Sequence, residues 1–427
     1  MPSPFETSQP EFSRRDLLRF SAAGLLAGSA TAWFPQLAAY ATEGARSGAK
    51  HKSCILLYMT GGASHIDTFD PKPGNGEFHA IPTAVPGIQV CEHLPRLAKQ
   101  MRDIAIIRSM STSEGSHARA KYLIHTGYRE GVGGVVHPTL GSVVSARLGE
   151  PQPEVTNFVR VSLGKYSNLG AGYLGPANAP LTVDDPTRGV ENLKSDDSMP
   201  AFDRKAALLD GLDENFAERN KAPAAVAHRE VYQSAVRLMH SPKVKAFDLT
   251  AESPALRAAY GTSRFAQACL LARRLVEVGV PFIEIDLDGW DTHKENFPRV
   301  KNLSAELDQG MAALLIDLKT KGLLDNTLVV WMGDFGRTPD IKGTGRGHWP
   351  RAWTTLLAGA GLKTGQVVGR TDRRGAAVEE RPVSATDFLA TICKALGIDY
   401  TQEFRTRSGR PMRIVMKGEK PIDELFA

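Results

Sequence analysis

Cysteine is scarce in this sequence of 427 residues, and its spacing does not suit metal or redox chemistry. The four cysteines are Cys54, Cys91, Cys269 and Cys393, and no two of them form a C-x-x-C pair. This spacing argues against a cysteine-ligated zinc site and against a dithiol redox centre. Buried free thiols are the simpler interpretation, and one disulfide of undetermined pairing is compatible with an oxidising compartment.

The sequence also lacks charge blocks and, beyond its N-terminus, long apolar segments. Its formal net charge is +5, and its 23% charged and 42% hydrophobic residues are ordinary globular values. A mild positive excess without clusters argues against nucleic acid as a partner. No segment after residue 41 is apolar enough for a stable membrane span.

The N-terminus has the order of a twin-arginine export signal. Arg14 and Arg15 precede a leucine pair, residues 20–34 carry no charge, and residues 39–41 read Ala-Tyr-Ala. A basic region, a short apolar stretch and a small-residue cleavage site are typical of a secretory signal. The paired arginine indicates export by the twin-arginine translocase, with an ordinary signal as the alternative. We therefore expect residues 1–41 to be removed and the mature protein to be periplasmic or otherwise extracytoplasmic.

Apolar runs alternate with amphipathic helical patterns through the mature domain at 42–427. The apolar runs predict buried strands at 53–59, 104–108, 281–286, 327–332 and 353–358. Near-continuous apolar strands are typical of a parallel sheet that is covered on both faces. The predicted fold class is therefore α/β, with a doubly wound, mostly parallel central sheet and helices on both faces.

Two of the helical patterns are long, and a third region interrupts the alternation. Residues 263–278 and 302–321 repeat apolar residues at helical spacing, and Asn302 or Ser304 is a plausible cap for the second helix. Residues 150–250 are rich in turn residues and then in charge. We expect this stretch to be an insertion or cap on the domain and not a separate domain.

Polar residues follow four of the predicted strands. Because the carboxyl ends of parallel strands meet at one edge of a sheet, we expect these residues to form one site. The candidates are His65 and Asp67 after the first strand, Ser116 and His117 after the second, Asp291 and His293 after the third, and Asp334, Arg337, Arg346 and His348 after the fourth.

These residue types suit metal-assisted ester chemistry. Aspartate and histidine are ligands of divalent metal ions, and two ions could clamp the attacking and leaving oxygens of an ester displacement. Arg337 or Arg346 could offset charge on a phosphoryl or sulfuryl group, and Ser116 could act as a nucleophile or an anion-binding helix cap. Each residue also has a structural interpretation, since aspartates after strands commonly cap turns and single histidines are often ordinary loop or core residues.

Four sequence blocks together resemble a known family. They are Gly-Gly-x-Ser-His-x-Asp-Thr-Phe-Asp-Pro-Lys-Pro from residue 61, Gly-Trp-Asp-Thr-His from 289, Gly-Asp-Phe-Gly-Arg-Thr-Pro from 333 and Gly-x-Gly-Arg-x-His-x-Pro from 343. With the export signal, they are similar to an exported bacterial family called domain of unknown function 1501. That family is placed in the alkaline phosphatase and sulfatase superfamily.

The resemblance implies two divalent metal ions held by aspartate and histidine, and a serine, threonine or modified cysteine as nucleophile. By similarity, Asp291, His293, Asp334 and His348 are metal ligands. Two departures weaken a two-metal site: the first strand ends in Thr60 where a working phosphatase has aspartate, and Phe335 follows Asp334 where histidine is usual. None of the cysteines lies in a Cys-x-Pro-x-Arg motif, so formylglycine sulfatase chemistry is not expected.

The sequence therefore predicts an exported, metal-dependent hydrolase of phosphate or sulfate esters. Its substrate would be a small anionic ester, such as a sulfated or phosphorylated sugar, and its cofactor one or two ions of zinc, manganese, iron or calcium. A non-catalytic binding or assembly protein on the same fold is the alternative. The predicted catalytic residues are Ser116, His117 and Arg337, with a metal-activated water as the alternative nucleophile. The predicted metal ligands are His65, Asp67, Asp291, His293, Asp334 and His348.

Overall fold

The computed structural model describes residues 52–162, 169–193, 195, 197–220 and 223–426. They belong to the unit formed by His51–Ala427, and the predicted signal peptide at 1–41 lies outside the described residues. Among the helices of the described part, none has both the length and the apolar character that crossing a bilayer requires.

The described strands comprise one central sheet and several short hairpins. Their bounds are β1 Ser53–Met59, β2 Ala80–Pro82, β3 Gln89–Cys91, β4 Ile104–Met110, β5 Phe158–Val161, β6 Leu181–Val183, β7 Phe282–Leu287, β8 Thr327–Gly333, β9 Gly336–Arg337, β10 His348–Trp349, β11 Trp353–Gly359, β12 Gln366–Val368, β13 Arg370–Thr371, β14 Val378–Glu380, β15 Glu403–Arg405 and β16 Pro411–Arg413.

The central sheet has the strand order β12-β4-β11-β8-β1-β7-β5-β6. Its neighbours pair in parallel except for β11, which runs antiparallel to both β4 and β8. The predicted mostly parallel α/β sheet is thereby confirmed, and all five predicted strands are present. Since β4 and β8 are each antiparallel to β11, they run in the same direction as β1 and β7. The carboxyl ends of these four strands therefore lie at one edge of the sheet.

Helices connect and cover the strands. Their bounds are α1 Pro95–Lys99, α2 His117–Thr126, α3 Leu140–Leu148, α4 Met199–Asn220, α5 Pro223–His240, α6 Pro254–Tyr260, α7 Arg264–Glu277, α8 Asn296–Thr320 and α9 Ala385–Leu396. Within 150–250, strands β5 and β6 extend one edge of the sheet, and α4 packs against α5.

Alternation along β1 explains why the sheet is buried on both faces. Ile55 and Leu57 pack into the apolar core that contains α7 and α8, whereas Leu56 and Tyr58 face the core formed with α2, α3 and α9. Successive side chains of a strand point to opposite faces, so an apolar run of this kind requires two covering layers. The four cysteines are buried and unpaired in these cores, as the free-thiol interpretation expects.

The start of α8 differs from the sequence-based expectation. The helix begins at Asn296, six residues before the predicted cap, and Pro298 is accommodated in its first turn. Its first amide groups are satisfied from another loop: the Glu295 N–H donates to Thr344 Oγ1 at 3.1 Å and the Asn296 N–H donates to the Thr344 carbonyl at 2.9 Å. Asn302 and Ser304 therefore lie within the helix, and the prediction that they cap it is wrong.

Candidate metal centre

Four side chains bring atoms that could bind a metal ion together beyond the carboxyl ends of β4, β7 and β8. We call these side chains, His117, Asp291, His293 and His348, the donor cluster. Asp291 and His293 follow β7, His117 starts α2 after β4, and His348 lies on β10 after β8. The distances from Asp291 Oδ1 are 3.1 Å to His293 Nε2, 3.3 Å to His117 Nε2 and 3.4 Å to His348 Nε2. The Nε2 atoms of His293 and His348 are 2.9 Å apart. These side chains are between 28% and 51% exposed, so the cluster is open to solvent.

A backbone contact determines which ring nitrogen of His348 carries a proton and which one faces the cluster with a lone pair. Its Nδ1 lies 2.8 Å from the carbonyl oxygen of Gly115, which can only accept a hydrogen bond. Nδ1 of a neutral imidazole must therefore carry the proton, which leaves the lone pair on Nε2. A second nitrogen that donates to a carbonyl is the usual support of a metal-ligating histidine.

His117 has the same polarity, with a carboxylate in place of the carbonyl. Its Nδ1 lies 2.6 Å from Asp334 Oδ2, whereas its Nε2 makes no hydrogen bond among the described residues. Burial lowers the pKa of His117, which favours the neutral ring with a lone pair on Nε2. The buried Nε2 of His117 therefore faces Asp291 Oδ1 at 3.3 Å with its lone pair available to a metal ion.

Asp334 lies behind His117 and does not reach the donor cluster. Its Oδ1 accepts a hydrogen bond from the Tyr58 hydroxyl, and its Oδ2 accepts from the Gly61 N–H at 3.2 Å as well as from His117. The side chain is only 2% exposed, and this burial raises the pKa of Asp334 to about 7. Asp334 therefore contacts one member of the cluster, His117, whereas the sequence suggested that it binds metal directly.

Arg337 neutralises the carboxylate at the centre of the cluster. Its Nη2 lies 2.6 Å from Asp291 Oδ1, and the guanidinium also donates to the carbonyls of Gly61 and Gly62. Burial works against ionisation of Asp291, but Arg337 outweighs it and holds the pKa of Asp291 below its usual value. Arg337 is fully buried and fully engaged, so its present position supports Asp291 more directly than a bound anion.

Two glycines, Gly61 and Gly345, allow their loops to pack against the loop that carries Asp291 and His293. Gly61 has φ of +101°, and a Cβ there would lie 2.5 Å from the Asp291 amide nitrogen. A Cβ on Gly345 would lie 2.0 Å from the carbonyl carbon of His293. Any side chain at either position would displace the loop that carries Asp291 and His293.

His65 and Asp67 are not brought into the cluster. Asp67 accepts two hydrogen bonds from Arg346, at 2.7 Å and 2.9 Å, and one from Asn296 at 2.9 Å. His65 is fully buried, and its Nε2 lies 2.8 Å from the Gly375 carbonyl. Both oxygens of Asp67 are thus used by protein donors, and the Arg346 guanidinium pairs with Asp67 inside the protein.

Ser116 and Phe335 flank the cluster. Ser116 is the N-cap residue of α2 and precedes His117, but its side chain does not make the capping hydrogen bond. The Phe335 ring stacks on His117 at 4.9 Å between centroids and lies 4.8 Å from the His348 ring. Tyr58, Gly115 and Asn296 were not suggested by the sequence, because nothing local marks a residue whose partner is hundreds of positions away.

The geometry fits a divalent ion. Metal–nitrogen and metal–oxygen bonds of about 2.0–2.1 Å place tetrahedral ligand atoms roughly 3.3 Å apart. The separations of 2.9–3.4 Å between the measured donor pairs are close to that value. The candidate ligand atoms of His117, Asp291 and His348 also all lie within 4.8 Å of one another. Imidazole with carboxylate suits zinc, manganese or iron better than calcium, which takes an oxygen shell.

Comparison with known families identifies the chain. The family model described as "Protein of unknown function (DUF1501)" matches residues 51–426. The chain belongs to the DUF1501 family. The resemblance drawn from the four sequence blocks is thereby confirmed, and those blocks supply every donor of the cluster except His117. Among curated proteins, none matches this DUF1501 chain.

Solved structures with a likeness to the DUF1501 chain include hydrolases. A PsFucS1 sulfatase from Pseudoalteromonas sp. shares 13% identity with a TM-score of 0.41, over 85% of this chain and 71% of the sulfatase. A phosphonate monoester hydrolase from Silicibacter pomeroyi shares 13% identity with a TM-score of 0.39, over 87% and 78%. The C-terminal periplasmic domain of EcEptC from Escherichia coli, in complex with zinc, shares 10% identity with a TM-score of 0.41, over 82% and 83%. These likenesses are too distant to transfer an activity or a residue role.

Proposed function

We propose that this DUF1501 protein is a metal-dependent hydrolase of phosphate or sulfate esters, with His117, Asp291 and His348 as the metal ligands. The observation that supports it is the convergence of Asp291 Oδ1 with the Nε2 atoms of His117 and His348, two rings whose Nδ1 atoms face acceptors. Three protein ligands with an exposed remaining side are the arrangement of a catalytic site, which keeps a position open for water or substrate.

Each neighbouring residue has a defined part in this proposal. A divalent ion bound there polarises an ester oxygen and lowers the pKa of water. Asp334 and Gly115 hold the proton on Nδ1 of their histidines, and Arg337 keeps Asp291 ionised. In this proposal Ser116, the N-cap residue of α2, would meet the anionic group of an ester, either as a nucleophile or through the helix N-terminus.

The proposal is tested by metal content and turnover measured on the same preparation. Protein purified from its exported form without chelator is analysed by elemental mass spectrometry and assayed with aryl phosphate and aryl sulfate esters. We expect about one divalent ion per chain and turnover that is lost in chelator and restored by that ion. A fully metal-loaded protein that hydrolyses neither ester class would contradict the hydrolase proposal.

A non-catalytic metal-binding or assembly role is the second candidate. It is favoured by His293, whose Nε2 lies 2.9 Å from that of His348 and 3.1 Å from Asp291 Oδ1. If His293 binds the ion as a fourth protein ligand, the site is closed in the way that structural zinc sites are. If His293 does not bind the ion, its half-exposed ring would lie beside the coordination position left open for water or substrate, where it could accept or donate a proton.

Replacing His293 with alanine separates these two candidates. If the enzyme proposal is correct, His293→Ala retains one bound ion, and its kcat falls by about 100-fold or more, because a proton-transfer group is lost. Steady-state kinetics and elemental analysis of the same sample measure both effects. The matched control is His228→Ala, an exposed histidine that pairs with Asp213 on the α4–α5 hairpin. Loss of the ion in His293→Ala would instead support the closed, non-catalytic site.

We also infer export by the twin-arginine translocase, from Arg14 and Arg15 ahead of the uncharged stretch. Substituting both arginines with lysine is expected to leave the unprocessed chain in the cytoplasm, because that pathway requires the arginine pair. Cell fractionation and the size of the chain on an immunoblot measure this. Arg19→Lys, in the same region, is the control and should be exported normally. Normal processing of the double variant would assign the chain to an ordinary secretory signal.

A further inference from the structure

Tyr58 is joined to the candidate metal centre by a chain of two hydrogen bonds. It is fully buried near the carboxyl end of β1, and its hydroxyl donates to Asp334 Oδ1. The other oxygen of Asp334 accepts from His117 Nδ1 at 2.6 Å. We infer that Tyr58 is a positioning residue, which orients the metal ligand His117 through Asp334. This inference rests on the metal site of the proposed function.

Helix α2 holds the Tyr58 ring as well as supplying the ligand. Residues four apart on a helix share a face, and His117, Lys121 and His125 follow that spacing. The His125 ring meets the Tyr58 ring edge-on at 4.5 Å between centroids, and Lys121 Nζ lies 5.0 Å from the Tyr58 centroid. The helix that carries His117 therefore also fixes the ring whose hydroxyl reaches Asp334.

The hydroxyl of Tyr58 controls how the Asp334 carboxylate can rotate. Asp334 Oδ2 faces two donors, His117 Nδ1 and the Gly61 N–H, whereas Tyr58 is the donor to Oδ1. Without the Tyr58 hydroxyl, Asp334 Oδ1 would be buried without this hydrogen-bond donor, and the carboxylate would be free to rotate. Such a rotation would break its contact with His117 Nδ1 and release the ring from its present orientation. Supporting partners of metal ligands typically contribute about 10- to 100-fold to metal affinity.

The test compares two buried tyrosines that each donate to an aspartate. Tyr58→Phe removes the hydroxyl next to Asp334, and Tyr260→Phe removes the equivalent hydroxyl that donates to Asp317 at 3.0 Å in the core on the opposite face of the sheet. Zinc affinity is measured by chelator competition, and the coordination of His117 by the visible absorption of the cobalt(II) form. We expect Tyr58→Phe to weaken zinc binding by about 10- to 100-fold and to alter the cobalt spectrum. Tyr260→Phe should change neither.

A second variant keeps the inference testable if Tyr58→Phe does not fold. Lys121→Met removes the ammonium over the ring from a partly exposed helix position, and a weakening of zinc binding by about 2- to 5-fold is expected. Zinc affinity within about twofold of wild type and an unchanged cobalt spectrum in Tyr58→Phe would overturn the role of Tyr58. If that variant does not fold, an unaltered affinity in Lys121→Met overturns it. Absence of zinc binding by the wild type would instead refute the proposed metal site itself.

Discussion

Replacing His348 with alanine is expected to lower the affinity for a divalent ion by roughly 100- to 1000-fold. Structural zinc sites in small peptides bind with about 10–16 kcal/mol, and removing one of three or four ligands from the proposed site would forfeit a similar fraction of its binding free energy. His348 would contribute a lone pair on Nε2 to the proposed site, because its Nδ1 faces the Gly115 carbonyl at 2.8 Å. The measurement is a competition titration with a chromophoric chelator, and turnover of either ester class should fall below detection.

The control for this variant is a histidine that also pairs with a carboxylate but lies elsewhere. His228 is 63% exposed and its Nδ1 lies 3.0 Å from Asp213 Oδ2, so His228→Ala should bind the ion as the wild type does. Both variants remove one imidazole from the protein. A lower metal affinity in His348→Ala alone therefore shows that the ion binds at the cluster and does not reflect the loss of any surface histidine. Wild-type affinity in His348→Ala would remove this residue from the ligand set.

Replacing Arg346 with methionine is expected to lower the free energy of unfolding by about 3–5 kcal/mol. Arg346 and Asp67 are 0% and 2% exposed and are joined by two hydrogen bonds, at 2.7 Å and 2.9 Å. Removing one member of a buried ion pair leaves the other charge uncompensated, and this accounts for the size of the loss. Urea unfolding of metal-free protein in chelator measures it, because the pair is predicted to act without metal.

An exposed ion pair nearby provides the comparison. Arg374 and Asp340 are 63% and 71% exposed, so Arg374→Ala should change the free energy of unfolding by only about 0–1 kcal/mol. If Arg346→Met and the wild type were equally stable without metal and differed only with metal, Asp67 would have to be regarded as a metal ligand. That result would restore the sequence-based assignment of Asp67.

The sheet was largely predictable because its signal is local. Apolar runs such as 53–59 and 327–332 are long enough to indicate buried strands, and the structure has strands there. The direction of β11 was not predictable, since a strand buried on both faces has the same composition whichever way it runs. The start of α8 depends on Thr344, some fifty positions away, so no local capping pattern could indicate it.

The site was predictable only as a group of residues. The expectation that polar residues after parallel strands converge follows from topology. His117, Asp291, His293 and His348 do come together, whereas His65 and Asp67 after β1 do not join them. Sequence could not separate Asp334 from Asp291, because the difference between them lies in their burial and in the contacts of Asp334 with Tyr58 and Gly61.

Anomalous X-ray diffraction at the zinc edge, from crystals grown with zinc, would locate the ion and its ligands. We expect one strong peak per chain, at about 2.0–2.2 Å from His117 Nε2, Asp291 Oδ1 and His348 Nε2. The same map shows whether His293 Nε2 is a fourth ligand, which separates the open site from the closed one. A zinc-saturated crystal with no peak at this cluster, or with its peak beside His65 and Asp67, would exclude His117, Asp291 and His348 as the metal ligands.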